Sequence, residues 1–468
     1  MDEGGRDMTR RDARSRRPAA RPTGRATAPP AARPATRPTA RSIALDVIRR
    51  VTDEGAYSNL TLARTLERAL LSQRDASFAT ELVYGTLRRL VTIDHELAPL
   101  LERPLVTAPK GARAALRLGA YQLRYLRVPA HAAVSETVAL VDQRHRGFVN
   151  AVLRRLATVA PSVPEGPGDL EVSIRTGLAE WAVRELRRVL SSDDETEEAA
   201  AALAERAPLT IRANTCRSTV DELERAFAAA GVRSERGRVH PDSLVVESGA
   251  ATALPGFEEG WFAVQDQASS FVVRALDPQP GDRVLDVCAG PGGKTGHLAC
   301  LIGDAGRSVA ADVSPSRLEL VRGNVARLGL QTALVVQDGR RPAIRGGFDR
   351  VLVDAPCSGI GSARRRPELL WRARKDELSS LARLQVGVAT AAAGLLRAGG
   401  RLVYSVCTFP RAETDAACDA ILRRVPELEP VEIAGPDGPA DRVRLWPHRH
   451  GCDAMFVAAF ARRETAPG

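Results

Sequence analysis

Two cysteines in this chain stand where a nucleophile would be useful. Cys407 closes the apolar run Arg401-Leu-Val-Tyr-Ser-Val-Cys407, and Cys357 follows the run Val351-Leu-Val-Asp354 by way of Ala355 and Pro356. Both runs read as buried strands, and open α/β sheets gather their chemistry at the carboxyl ends of strands. A thiolate adds well to an electron-poor ring carbon and also leaves well, which suits a reaction that must attach to its substrate and then release it. An acidic group is needed beside such a ring, and Asp354, three residues before Cys357, can supply it.

The other cysteines invite a plainer reading. Cys216, Cys300, Cys418 and Cys452 are expected to be small buried hydrophobes. Seven cysteines without a Cys-x-x-Cys pair favour reduced thiols in a cytoplasm over disulfides or structural zinc. No metal site is expected.

Upstream, Cys288-Ala-Gly-Pro-Gly-Gly-Lys-Thr295 follows a third apolar run, Arg283-Val-Leu-Asp-Val, and opens a helix. Gly290, Gly292 and Gly293 let backbone amides approach a ligand, and a helix amino terminus favours a negative group. A dinucleotide fingerprint would need glycine at Thr295, and a phosphate-binding P-loop would need it at Cys288. Asp312 lies 22 residues after Gly290 at the end of the next strand, where a carboxylate can accept both ribose hydroxyls of a nucleoside. Helix capping is the alternative for Asp312, because Ser314 and Pro315 start a helix there. Asp338, after the following strand, is placed to accept from an adenine amino group. A ribose acceptor, an adenine contact and a loop (Cys288, Ala289, Gly290, Pro291, Gly292, Gly293, Lys294) without pyrophosphate geometry fit S-adenosylmethionine. Beside that cofactor a thiol suits cytosine C5, a poor carbon nucleophile until a thiolate adds at C6 and turns the ring into an enamine.

The elements that must position these residues follow from periodicity. Residues 1–40 form an Arg/Pro/Ala-rich tail expected to be disordered. Counted to Arg41, it holds eleven arginines against four acids, +7 of the chain's net +10. Such a tail is either a solubilising extension or a partner for phosphates. Residues 41–160 read as an all-helical domain, with Ile43, Val47, Ile48 and Val51, then Val149, Val152, Leu153 and Leu156, at helical spacing. Prolines and glycines make 161–170 a linker. A small α+β module is expected over 171–260, with strands at Leu209–Ala213 and Leu244–Glu247. From 261 to 464 strands alternate with amphipathic helices, which implies a parallel sheet covered on both faces and closed by a hairpin of Val443–Trp446 and Ala454–Ala458. With 468 residues, 44% of them apolar, the chain has ample core for several domains, and no apolar run approaches a membrane span. A soluble protein without a secretory signal is expected.

Three segments carry a likeness to a known family. Cys288–Thr295, Asp354-Ala-Pro-Cys-Ser-Gly-Ile-Gly361 and Tyr404-Ser-Val-Cys-Thr-Phe-Pro410 resemble the signature motifs of RNA cytosine-C5 methyltransferases. Tyr84-Gly-Thr-Leu-Arg88, Leu118-Gly-Ala-Tyr-Gln-Leu123, Pro129-Ala-His-Ala-Ala-Val134 and Phe148–Arg154 resemble the NusB-like domain that precedes the catalytic domain in the Sun/Fmu (RsmB) family. The resemblance implies an α/β, Rossmann-like methyltransferase domain behind a NusB-like RNA-binding domain. It also implies cofactor contacts at Cys288–Lys294, Asp312, Asp338 and Asp354. Cys407 would be the nucleophile, Cys357 would assist its release, and the substrate would be a cytosine of 16S ribosomal RNA. Two positions depart from the family: Gly290, where alanine is common, and Asp453-Ala-Met-Phe456, where Asp-Gly-Phe-Phe is common.

Three alternatives differ in class. A tRNA or 23S ribosomal RNA cytosine could be the target instead. A DNA cytosine methyltransferase would use Cys357 as nucleophile and would not need Cys407, and the NusB-like region also speaks for RNA over DNA. A non-catalytic RNA-binding protein would have no use for Cys407, Cys357, Asp354 and Lys294 together.

Overall fold

Thr39 caps the first helix: its hydroxyl accepts from the Ser42 amide, and the Ser42 hydroxyl accepts from the Thr39 amide in return. The computed structural model describes residues 38–247 and 249–464, so residues 1–37 of the expected tail lie outside the described residues. The helical segment runs through α1 (Ala40–Glu54), α2 (Ser58–Ala69), α3 (Gln73–Arg88), α4 (Leu90–Leu97), α5 (Lys110–Tyr125), α6 (Ala130–Ala139) and α7 (Gln143–Thr158). Ile43, Val47, Ile48 and Val51 of α1 and Val149, Val152, Leu153 and Leu156 of α7 are buried in one core, as their spacing predicts.

Three further helices, α8 (Asp169–Thr176), α9 (Glu180–Arg187) and α10 (Asp193–Ala204), come before the first strand. Their apolar faces do not pack on the small sheet that follows. Val183, Leu186 and Leu203 instead share a core with Ile360, Leu370, Phe409 and Trp446. The small module itself comprises β1 (Leu209–Ala213), α11 (Val220–Ala229), β2 (Ser234–Arg236), β3 (Ser243–Val246) and β4 (Phe262–Val264), an antiparallel sheet in the order β2-β3-β1-β4. Leu223 and Phe227 of α11 pack on Ile211, Leu244 and Phe262.

The remainder is α12 (Gln267–Leu276), β5 (Arg283–Asp286), α13 (Gly293–Ile302), β6 (Arg307–Asp312), α14 (Pro315–Arg327), β7 (Ala333–Val336), β8 (Phe348–Asp354), α15 (Leu369–Arg372), α16 (Leu378–Ala393) and β9 (Leu396–Val406). It ends with α17 (Asp415–Arg424), β10 (Leu428–Val431), β11 (Ile433–Gly435), β12 (Gly438–Ala440), β13 (Arg442–Leu445), α18 (Pro447–His450) and β14 (Met455–Arg462). The large sheet has the order β10-β14-β9-β8-β5-β6-β7, with β13 also on β14. From β7 to β9 the pairs are parallel, while β14 joins β9 antiparallel, so the expected parallel sheet carries an antiparallel edge. The hairpin of β13 and β14 forms as expected. Edge strand β10 was not expected from the sequence; it is short and contains Pro430, which only an edge tolerates.

One expectation about cysteines needs correction. Cys216, in the loop after β1, and Cys300, near the end of α13, form a disulfide with Cα atoms 5.8 Å apart. From the sequence they read as separate hydrophobes, because the two lie 84 positions apart and no motif connects them. The small module makes the pairing by docking on this end of α13, and the Asn214 amide donates across the same junction to Leu328 O at 2.9 Å. Protein prepared without reductant and alkylated in denaturant should therefore show five reactive thiols, the number of free cysteines, and seven after reduction. Seven before reduction would mean that the two sulfurs are only neighbours.

Candidate active site

The parallel pairing of β8 with β9 sets Asp354 opposite Ser405. Beyond these ends the chain brings the two cysteines together, with Cys357 Sγ 3.5 Å from Cys407 Sγ. The turn after Cys357 folds back onto β9: the Gly361 amide donates to Cys407 O at 3.0 Å, and Gly361 O accepts from the Ala454 amide at 3.0 Å. Only glycine permits this approach, because a Cβ at 361 would stand 2.2 Å from Ala454 O.

The thiols are not equivalent. Cys407 is held below the ordinary thiol range because Cys357 donates its S–H to the Cys407 thiolate. Arg366 and Lys294 reinforce this, while burial and Asp354 oppose it. Cys357 is pushed well above that range, first because ionising it would break the same hydrogen bond and second by burial. The pair is thus polarised, with Cys407 as the thiolate side.

Lys294 and Asp354 form the adjoining charged pair, Nζ to Oδ2 at 2.7 Å, and the Ser405 hydroxyl donates to Asp354 Oδ1 at 2.8 Å. Burial draws the Lys294 ammonium down, but attraction and hydrogen bonding to Asp354 outweigh it and leave it raised. Lys294 reaches Asp354 because it sits in the first turn of α13. Gly292, with φ +101°, makes the left-handed entry into that helix, where a Cβ would press on Val321 at 2.9 Å.

Beside this pair lies a cavity of about 250 Å³. Cys288, Ala289, Gly290, Pro291, Gly293, Lys294 and Asp354 line it, among the residues expected from the sequence. Asp312 adjoins it through the Gly290 amide, which donates to Oδ2 at 3.1 Å, while Oδ1 accepts from the Ser314 amide at 3.0 Å. Asp312 therefore steadies the approach to α14, whose cap is Ser314, and sits against the glycine loop, with Arg317 Nη1 3.3 Å from Oδ2. A carboxylate retains lone pairs for further donors after two such bonds. Asp338 stands apart from the cavity lining, and both its oxygens accept from Arg340. A Cβ at Gly290 would come within 2.7 Å of Arg317 and 3.0 Å of Asp312 Oδ2, so bare backbone makes room here for the Asp312–Arg317 pair.

Several cavity residues went unnoticed in the sequence. Arg365 bridges Asp266 at 2.7 Å and Asp453 at 2.9 Å, and all three line the cavity. Asp266 caps α12 and carried a capping signal, but nothing in its spacing announced its partners. Burial, then Asp266, raises Asp453 to about 6, against the pull of Arg365. Asp286 lies on the floor, accepting from the Thr295 hydroxyl at 2.7 Å. Burial, aided by Asp354 and Asp312, raises it to about 7 despite Thr295 and Lys294.

The comparisons with known proteins agree with this geometry. Residues 273–461 match the model of the 16S rRNA methyltransferase RsmB/F family, residues 38–158 that of the NusB family, and residues 178–253 that of the RsmF/B-like ferredoxin-like domain. Ribosomal RNA small subunit methyltransferase B of Escherichia coli is 32% identical over 431 residues, 90% of this chain and 98% of its own. A Mycobacterium tuberculosis relative with a provisional methyltransferase name is 39% identical over 456 residues, 90% of this chain and 95% of its own. The crystal structure of PH0851 superposes with a TM-score of 0.78 at 26% identity over 91% of this chain and 99% of that one. A methyltransferase homologue from Pyrococcus horikoshii has a TM-score of 0.54 at 27% identity, covering 64% of this chain and all of that one.

Asp286 supplies a test of the electrostatics. In the unfolded chain it ionises near 3.8, whereas in the fold it stays protonated up to about 7. Its contribution is therefore fully present below about pH 4 and is lost as pH rises through about 7. Urea midpoints of Asp286→Asn, whose side chain is neutral at every pH, should fall less between pH 5 and pH 8 than those of the wild type. Equal slopes would show that Asp286 is ionised in the fold. With the thiol pair, the glycine loop and the family matches in agreement, the chain belongs to the RsmB/F family of 16S rRNA methyltransferases and is an S-adenosylmethionine-dependent RNA methyltransferase.

Proposed function

We propose that this enzyme methylates C5 of a cytosine in 16S ribosomal RNA, in the cytoplasm, through a covalent bond between Cys407 and C6. The observation that carries the reading is the 3.5 Å separation of Cys407 from Cys357 beside the Lys294–Asp354 pair. Cys407, the thiolate side, adds to C6 of the base. N3 takes a proton from water as the S–C6 bond forms and returns it when that bond breaks; the Asp354 carboxylate accepts a hydrogen bond from that N3–H, and Lys294 keeps the carboxylate in place. When bound, S-adenosylmethionine supplies the electrophilic methyl carbon that C5 attacks. The Cys288–Lys294 loop, Asp312, Asp338 and Asp354 would hold it, with Asp312 toward the ribose and Asp338, if released from Arg340, toward the adenine. Loss of the C5 proton and cleavage of the S–C6 bond restore the aromatic ring and the Cys407 thiolate, with Cys357 assisting that release. The bond count closes: one methyl enters and one proton leaves. The NusB-like domain, residues 41–160, provides further RNA contact.

A DNA-type mechanism would make Cys357 the nucleophile and leave Cys407, whose sulfur lies 3.5 Å from it, without a role. Cys407→Ala should abolish methyl transfer to 16S RNA and leave no protein–RNA adduct on a denaturing gel. Cys357→Ala should attack but fail to let go, so the adduct accumulates. The reverse pattern would transfer the nucleophile's role to Cys357.

The cofactor assignment has its own measurement. Asp312→Ala removes a charged acceptor from two ribose hydroxyls, and hydrogen bonds to charged groups contribute about 1.5–3 kcal/mol each. Calorimetric titration with S-adenosylmethionine should show affinity reduced by at least about tenfold. Wild-type affinity in a folded variant would place the ribose elsewhere.

A further inference from the structure

Behind the thiol pair lies a buried carboxylate that the proposed chemistry leaves unused. Glu413 is fully buried, and among the described residues no cation pairs with it. Its partners are neutral donors on both sides of the site. Oε1 accepts from the Ser358 amide at 2.9 Å and from Gln385 Nε2 at 2.9 Å. Oε2 accepts from the Ser358 hydroxyl at 2.6 Å and from the Thr408 hydroxyl at 3.4 Å, and those two hydroxyls lie 2.7 Å apart. Ser358 directly follows Cys357, and Thr408 directly follows Cys407.

The same network reaches the residue before Cys357. Gln385, on α16, also donates to Pro356 O at 3.0 Å. The Tyr404 hydroxyl donates to the Glu413 backbone carbonyl at 2.7 Å and lies 3.1 Å from Gln385 Oε1, which fixes the Glu413 backbone and the Gln385 side chain from inside the sheet. Cys357 is thus held through its two neighbours, and Cys407 through the one that follows it. A carboxylate suits this place because both its oxygens accept; a glutamine amide has one acceptor and one donor, and the donor would face N–H or O–H groups. A charge placed in such a site without a counterion is costly unless donors surround it, and here they do.

We infer that Glu413 is a positioning residue that sets the contact between Cys357 and Cys407, and through it the readiness of Cys407 to attack and the ability of Cys357 to assist release. This rests on the roles proposed above, but its first test does not. The rate of Cys407 alkylation by iodoacetamide, followed by mass spectrometry across pH, reports the thiol contact without any RNA. The midpoint in wild type should lie below that of an ordinary thiol. Glu413→Gln should raise it by at least about half a pH unit, and Cys357→Ala should raise it as well. Ser358→Ala removes only the half-buried hydroxyl bridge and should shift the midpoint in the same direction, which keeps the test available if Glu413→Gln does not fold. An unmoved midpoint in a folded Glu413→Gln protein, or in Ser358→Ala where the first variant does not fold, overturns the inference.

The second readout is turnover. Glu413→Gln should lower kcat by roughly tenfold or more, the size of one lost hydrogen bond to a charged group, and leave KM for RNA within about twofold. A raised KM with unchanged kcat would instead make Glu413 part of RNA binding and overturn the assignment. A shifted alkylation midpoint combined with no adduct in Cys357→Ala would uphold the role of Glu413 in setting the thiol contact and refute the release step of the proposed mechanism.

Discussion

Val353 faces Tyr404 and Asp354 faces Ser405 across the ladder between β8 and β9, and nearly every feature of the site depends on that register. Slipping the pair by one residue would turn each strand's side chains to the opposite face of the sheet. Asp354 would leave Ser405, and the polar network behind Cys357 would face the wrong layer. The register is protected from both sides. Val351, Val353, Leu402 and Tyr404 are buried in one apolar layer and Leu352 and Val403 in the other, so a slip would cost the burial of both faces. The sheet register therefore fixes where the two cysteine-bearing loops begin.

The segment after Cys357 is held in another way. From 360 onward it leaves the sheet and lies against the helical domain. Arg372 donates to Ala56 O at 2.9 Å, Trp371 Nε1 donates to Leu87 O at 3.0 Å, and Arg88 donates to Arg364 O at 3.3 Å. Glu368, fully buried, accepts from the Ser58 amide at 3.1 Å and from its hydroxyl at 2.6 Å. Helix α2 has no side-chain cap of its own, so Glu368 serves as one from another part of the chain. The helices α8–α10 pack on the same segment from their own direction. Catalytic loop and helical domain thus share an interior, although sequence periodicity assigns them to different domains.

What the sequence disclosed, and what it withheld, follows from the range of the interactions involved. The helices of the first domain and the strands of the large sheet were legible because hydrophobic periodicity is local. Cys357, Cys407, Asp354 and the glycine loop were legible because each follows an apolar strand directly. The Arg365 bridge to Asp266 and Asp453, the Cys216–Cys300 disulfide and the Glu368 cap were not, because their partners lie 84 to 310 residues away and no local motif marks them. Asp338 is a different case. Its position after a strand suggests a ligand contact, and without a ligand both its oxygens accept from Arg340, two residues away, so no distant partner tests the suggestion.

The Glu368 cap also has a consequence for synthesis. Ser58 is made 310 residues before the side chain that completes its helix. At roughly 5–20 residues per second, α2 waits on the order of 15–60 s with bare amides at its first turn. The amino-terminal helices can collapse on their own core during that interval, since their apolar stripes are local. Their surface toward Glu368, Trp371 and Arg372 is finished only when the strand bearing Asp354 has already emerged. The helical domain of a newly made chain is thus a nearly complete template, and the catalytic segment is the last piece laid onto it.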